Sequence, residues 1–374
     1  MKILFWVSVI FTLYTYVGYP LILAILARLF PQSIKRSDFS PNVSVVLAAR
    51  NEAHAIVKRL ENLLSQDYPE ELYEIIVVSD GSNDKTNEVV ASYADRNVHL
   101  IPLSERVGKA EALNRGVALA SGEIIIFADA RQSFEVDVVR CLVTNFADPK
   151  VGCVSGELMF IDEVGSGIRT EMGAYWYYEK MIRKFESASG SVIGATGAVY
   201  AIRKSLYQPL PRGTILDDVL TPMNIALKGY RVVFDGAALA FDVVSKDIEQ
   251  EWTRKVRTLA GNWQLLSLAP HLFVPWSCSL WWRLLSHKVF RLLVPLALSS
   301  ILVASLVAEG AVYRMALFVQ LIFYFSAFVG LVTPESRQLR FVNVAYFFLL
   351  MNVGVVVGFW RWLLGKCDAI WKPV

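Results

Sequence analysis

The stretch EIIVVSDGSNDKT, Glu74 to Thr86, decides the fold. Its first half, Glu74 to Val78, is apolar on both faces, as a strand buried inside a covered, mostly parallel sheet requires. Its second half is a run of turn-forming residues that stops the strand at Ser79 and Asp80, and a helical pattern over Asp84 to Ala94 follows. The same unit recurs on either side. Strands are predicted over Val43 to Ala48, Val98 to Ile101, Glu123 to Phe127 and Val151 to Ser155, with helices over Glu52 to Gln66 and Lys109 to Ala120 between them. Strands alternating with helices predict an α/β domain, here placed at residues 41–269. Polar residues stand where three of these strands end: Arg50, Asn51 and Glu52, then Asp80, then Asp129. Ligands of open α/β sheets bind beyond the carboxyl ends of the strands. Helix capping explains one such acid. It gives no reason for several to gather on one edge of one sheet.

Outside this domain the pattern changes. With 55% hydrophobic residues, the chain has more apolar surface than a single soluble core needs, so part of it should face lipid. Ile3 to Ala27 carries no charge and is flanked by Lys2 and Arg28, longer than the ~20 residues that cross a bilayer and longer than the apolar core of a cleaved signal peptide. A transmembrane helix is predicted over residues 1–30. Three further uncharged runs, Leu292 to Ala308, Met315 to Pro334 and Phe341 to Trp360, predict about three C-terminal spans within residues 292–364, after an interfacial segment at 270–291. Arg28, Lys35 and Arg36 place the α/β domain on the cytoplasmic side of the plasma (inner) membrane, and His287, Lys288 and Arg291 mark re-entry from that side. Three spans put the C-terminus outside, whereas Arg361, Lys366 and Lys372 argue for inside; a paired or re-entrant segment would reconcile the two.

The net charge of +3 and the absence of a basic stripe with interleaved aromatics speak against nucleic acid as a partner. Cys141, Cys153, Cys278 and Cys367 have neither metal-ligand spacing nor the density of a disulfide scaffold. The apolar spans contain no charge that would mark an ion pathway, so a transporter has little support.

At three strand ends the residues resemble the large family-two glycosyltransferases, in particular the membrane-bound branch with the hyaluronan, chitin, cellulose, poly-N-acetylglucosamine and Nod-factor backbone synthases. AARNEA at Ala48 to Ala53 is similar to the segment that touches the nucleoside. SDGSNDKT at Ser79 to Thr86 is close to the family's aspartate-glycine-serine motif, and GKAEALNRG at Gly108 to Gly116 is similar to its donor-side helix. The resemblance covers residues 43–263. It implies a GT-A type domain, Rossmann-like with a mostly parallel sheet, flanked by transmembrane helices. It also implies an inverting transfer of sugar from a nucleotide-sugar donor, a UDP-sugar first of all, to a saccharide or lipid-linked acceptor, forming a β-linked product. Accessory export subunits and membrane lipid are the further partners that it allows.

Carried over residue by residue, the resemblance gives donor-binding roles to Asn51, Glu52, Asp80, Asp84, Lys109, Arg131, Arg254 and Arg257. Asp84 fits equally as a helix cap. Asp129 becomes the ligand of a divalent cation, Mg or Mn. The family's usual triplet there is aspartate, any residue, aspartate, and this chain reads Asp129, Ala130, Arg131. Either Asp129 holds the metal together with donor phosphates and water, or Arg131 takes over part of the cation's work.

ILDDV at Ile215 to Val219 is similar to the acidic pair that carries the general base, which makes Asp218 the base and Asp217 its catalytic neighbour. An inverting transfer needs one carboxylate opposite the leaving group to take the acceptor's proton. GATGAVYAIR at Gly194 to Arg203 resembles the small-residue loop near the acceptor, so Gly194, Thr196 and Gly197 are acceptor-binding candidates. Processive members carry glutamine, two residues, arginine and tryptophan where this chain reads Leu259 to Trp263. Only Trp263 remains, as an acceptor platform or an interfacial anchor. The departures leave two alternatives: a single-addition transferase on a lipid-linked acceptor, and a catalytically silent scaffold subunit. Glu171 to Glu186 reads as an amphipathic helix with an aromatic face, fit either for core packing or for the membrane surface.

Overall fold

The computed structural model describes residues 1–161, 173–243, 248–275 and 280–366. The chain divides into two compact units. One holds residues 1–22, 251–264 and 282–366; the other holds the described residues of 23–250 and 265–281.

The larger unit is built on one eight-stranded sheet in the order β3-β2-β1-β4-β7-β6-β8-β5. Its strands are β1 (Val43–Ala49), β2 (Tyr73–Ser79), β3 (Val98–Pro102), β4 (Ile124–Ala128), β5 (Ser133–Phe134), β6 (Val151–Ile161), β7 (Val199–Arg203) and β8 (Arg231–Val243). β1 pairs in parallel with β2 and β4, and β2 with β3, in a register that sets Val45 beside Ile75 and Ile126. All of β1 and β4 is buried, which explains their β-branched content on both faces. β7 runs antiparallel between β4 and β6, while β6 and β8 pair in parallel.

Helices cover the sheet: α2 (Ala53–Leu64), α3 (Thr86–Ala91), α4 (Lys109–Leu119), α5 (Val138–Thr144), α6 (Gly173–Ala188) and α7 (Asp217–Leu227). Two glycines set how closely α4 and its following turn lie on the sheet. A Cβ on Gly116 would stand 2.5 Å from Val46 Cγ1, and one on Gly122 would stand 2.6 Å from the Ser44 amide nitrogen. The glycine that closes the GKAEALNRG segment is thus a packing requirement.

Four helices are long and apolar enough to cross a membrane: α1 (Lys2–Leu29), α9 (Trp281–Val307), α10 (Ala311–Val332) and α11 (Arg340–Leu363). α9 begins at Trp281, so the later part of the segment expected at 270–291, from Trp281 on, is helical and continuous with the span. α1 and α9 each contain a π turn, at Tyr14–Gly18 and Leu285–Val289. There Tyr14 Oη shares a 2.8 Å hydrogen bond with Ser286 Oγ and accepts one of 2.9 Å from Trp282 Nε1, which satisfies polar groups inside apolar helices. Ile3, Leu296, Phe318 and Phe325 stay exposed, an apolar surface suited to lipid.

α8 (Ile248–Leu268) contributes residues 251–264 to this unit. Gly354 and Gly358 of α11 lie against it: a Cβ on Gly358 would reach 2.9 Å from the Ala260 nitrogen. Cys278, Cys367, Lys372, Glu171 and Met172 lie outside the described residues.

Candidate active site

The carboxyl edge of the parallel strands is knitted from the residues that the sequence singled out. Asn51 adopts a left-handed backbone, φ 51°, which asparagine tolerates better than most residues. Its amide nitrogen donates to Ser82 Oγ at 3.1 Å and its Oδ1 accepts from the Asn83 nitrogen at 2.9 Å. Glu52 N donates to Thr86 Oγ1 at 2.9 Å. Asp84 is exposed and accepts from the Thr86 and Ala53 nitrogens, at 3.0 and 3.1 Å, so it ties the starts of α2 and α3 together. Asp80 is buried. Its two oxygens accept from the Val107 and Gly108 nitrogens at 2.6 and 3.0 Å, which fixes the turn that launches α4 and Lys109. Gly81, at φ 62°, has the Arg106 nitrogen where a Cβ would be, 2.8 Å away.

Lys109 then joins the acids. Its Nζ lies 2.9 Å from Asp129 Oδ1 and 3.6 Å from Asp217 Oδ2. Burial alone would lower the pKa of this ammonium, but Asp129, Asp217 and Asp218 outweigh that and raise it, so Lys109 is charged. Asp217 and Asp218 occupy the first turn of α7, where the helix dipole favours negative charge. Asp217 is buried and its Oδ2 has no hydrogen-bond partner. Burial pushes its carboxyl up to about 6, Lys109 opposes the shift, and Asp218 and Asp129 add to it.

A raised carboxyl pKa contributes stability that is complete below 3.8 and is lost as pH rises through about 6. The carboxylates held low, such as Glu74 and Asp148, lose their contribution only as pH falls below the ordinary carboxylate range, outside that window. Thermal unfolding in detergent should therefore show a melting temperature higher at pH 5 than at pH 7, by ~5 °C for a domain of this size. Asp217→Asn should flatten that slope, and an unchanged slope in the variant would contradict the assignment.

Arg131 is engaged with Glu52 through both Nε and Nη2, at 2.9 to 3.1 Å, in a fork that closes the edge between β1 and β4. Behind Asp129 lies Arg59, fully buried on α2 and stacked 4.1 Å from the Phe134 ring; burial lowers its pKa to about 10, while Tyr73 and Asp129 oppose the shift. Tyr200 of β7 stacks on Phe127 at 4.6 Å, and its buried hydroxyl is held neutral by burial and by Asp217. Neither Arg59 nor Tyr200 was singled out in the sequence. A lone arginine in an amphipathic helix and a tyrosine in a short strand carry no local signal of what they face.

The small-residue loop lies directly against the acidic pair. The Ala195 nitrogen donates to the Asp218 carbonyl at 2.7 Å, and a Cβ on Gly197 would stand 3.0 Å from Asp218 Oδ2. Thr196 is buried and accepts from Arg183, so its side chain serves the loop itself. Arg254, Arg257 and Trp263 belong to the unit of apolar helices. Within it Trp263 Nε1 donates to the Val355 carbonyl at 3.3 Å and the ring stacks on Trp362 at 6.2 Å.

Among the described residues no three acidic, histidine or cysteine side chains converge as a ready cage for a metal. Asp129 and Asp217, on either side of Lys109, offer one or two carboxylates. That donor set fits a cation bound mainly through substrate phosphates and water, as Mg often is.

Residues 44–210 match the family described as Glycosyl transferase family 2. The chain carries a family 2 glycosyl transferase domain. Within that family the domain is 27% identical over 234 residues to the poly-beta-1,6-N-acetyl-D-glucosamine synthase of Staphylococcus aureus (strain COL), a match that covers 61% of this chain and 56% of that protein. The Staphylococcus epidermidis synthase is 26% identical over 229 residues, covering 60% and 55%. The chain thus spans a little over half the length of these relatives. In fold, the chain is similar to a solved mannosyltransferase from Pyrobaculum calidifontis in complex with GDP-Man and Mn2+, with a TM-score of 0.70 and 23% identity over 97% of this chain and 99% of that one. The sheet with its flanking helices is the GT-A fold.

Proposed function

We propose that the chain is an inverting glycosyltransferase that moves a sugar from a nucleotide-sugar donor, a UDP-sugar, to a saccharide or lipid-linked acceptor at the membrane. The observation that carries this reading is the placement of Lys109 between Asp129 and Asp217, with Asp218 and the Gly194–Gly197 loop beside them. The synthases named above support a polysaccharide product, and the bound GDP-Man and Mn2+ of the archaeal mannosyltransferase support a nucleotide-sugar donor and a divalent cation.

In this reading the nucleoside lies along the edge formed by Asn51, Glu52 and Asp80, and Lys109 faces the diphosphate. Asp129 would hold the divalent cation, which neutralises charge on the diphosphate as it leaves. Asp218 accepts the proton of the acceptor hydroxyl while that oxygen bonds to the anomeric carbon; the bond from the anomeric carbon to the diphosphate oxygen breaks and the electron pair leaves with the nucleotide. The glycines at 194 and 197 let the loop lie close against that carboxylate: a Cβ at 197 would stand 3.0 Å from Asp218 Oδ2. The four apolar helices keep the enzyme in the membrane, and Arg28, Lys35 and Arg36 face the domain to the cytoplasm.

The test is a panel of radiolabelled nucleotide sugars given to the purified chain in proteoliposomes with Mg2+ or Mn2+. Release of UDP with label entering a larger product is the expected result. A ladder of products identifies polymer synthesis and a single increment identifies one addition. No nucleotide release from any donor, in folded protein, would overturn the reading.

A further inference from the structure

Helix α6 lies outside every role assigned above, yet it grips the loop that abuts Asp218. Arg183 Nη1 donates to Thr196 Oγ1 at 2.6 Å. One turn further, the buried Glu186 accepts the Ile193 amide at 3.2 Å through Oε2. These two contacts straddle Gly194, which is held at φ 85° and has Val219 Cγ2 at 3.1 Å from the position of a Cβ. Thr196 is tied down on its remaining sides: its nitrogen donates to Ser155 Oγ at 2.9 Å and its hydroxyl donates to the Gly156 carbonyl at 2.9 Å. Towards α7 the Ala195 nitrogen donates to the Asp218 carbonyl at 2.7 Å, and a Cβ on Gly197 would stand 3.0 Å from Asp218 Oδ2. The Ile193–Gly197 segment is therefore a thin plate clamped between α6 and the first turn of α7. Its thickness is one backbone, because what meets α7 is glycine at 194 and 197 and the backbone nitrogen of Ala195.

We propose that Arg183 and Glu186 are positioning residues, which set the depth of this plate and so the space in which an acceptor hydroxyl meets the Asp218 carboxylate. The proposal rests on Asp218 acting as the base. A plate shifted by about 1 Å would misalign the attacking oxygen, and misplacement on that scale lowers turnover by about a hundredfold. The donor edge has its own anchors: Asp80 is held by the 107–108 turn, Glu52 by Thr86 and Asn51 by Asn83.

The test uses the full-length chain in proteoliposomes, with Arg183→Ala, Arg183→Gln, Arg183→Lys and Glu186→Gln measured in parallel so that loss of folding in one leaves the others. Arg183→Ala and Arg183→Gln are expected to lower kcat ten- to a hundredfold and to raise the acceptor KM, with the donor KM within about twofold of wild type. Arg183→Lys, which keeps a donor and the charge, should recover part of kcat. Glu186→Gln, which keeps an acceptor oxygen, should lose less than Arg183→Ala. Wild-type kcat in both folded Arg183→Ala and Arg183→Gln, or equal losses in donor binding and kcat, would overturn the positioning role and leave α6 a structural support. If Asp218→Asn retains full activity, it is the assignment of the base that fails; if that variant is dead while Arg183→Ala works normally, the clamp alone fails.

Discussion

Asp218→Asn is expected to lower transfer by about a thousandfold while leaving the fold and donor binding intact, because a general base contributes roughly 10² to 10⁴ to such a step. Asparagine has nearly the shape of aspartate, so the close approach of the Gly197 backbone to this side chain survives. The backbone contact from Ala195 to the 218 carbonyl is also kept. What is lost is the capacity to take a proton. The neighbouring Asp217 does not replace it, because that carboxylate is buried against Lys109 and held there by the ion pair. Product formation at saturating donor and acceptor is the measurement, with circular dichroism to establish the fold. Activity within tenfold of wild type would remove Asp218 from the mechanism.

Asp129→Ala should abolish turnover and, separately, the effect of divalent cations on nucleotide binding. Two consequences follow from the geometry. Lys109 loses the partner 2.9 Å away and turns wholly to Asp217, which moves the cation away from the place of the diphosphate. The buried edge also loses the carboxylate that would hold the metal, and charge neutralisation of a diphosphate leaving group amounts to several kcal/mol of transition-state stabilisation. A loss of at least a thousandfold in kcat/KM is expected. Sheet and core should persist, since Asp129 lies past the end of β4 and is partly exposed.

Much of the fold was legible because the parallel strands are short, apolar on both faces and separated by turn formers. The start of β1 at Val43 follows from those patterns alone, and β2, predicted over Glu74 to Val78, runs one residue longer at each end. The antiparallel half was not. β7 hides inside GATGAVYAIR, where the glycines mask five strand residues, Val199–Arg203, whose burial comes from β4 and β6 far along the chain. β6 runs on to Ile161 past the charged Glu157, because Lys180 of α6 pairs with that acid. α9 continues through Arg283, His287 and Lys288, which break the uncharged run without ending the helix.

The acids of the candidate site could be picked out by their position after strands. What they touch could not be. The Glu52–Arg131 fork, the capture of Asp80 by the 107–108 amides and the clamp of Arg183 on Thr196 are long-range contacts, and no local pattern encodes them.

In the proposed mechanism Asp129 supplies the cation's place and Asp218 the base within one donor site. Calorimetric titration of UDP into the wild-type, Asp129→Ala and Asp218→Asn chains, each with and without Mg2+, separates the two roles. Mg2+-strengthened binding is expected in wild type and Asp218→Asn and no Mg2+ effect in Asp129→Ala; an undiminished Mg2+ effect in Asp129→Ala would contradict a metal role for Asp129.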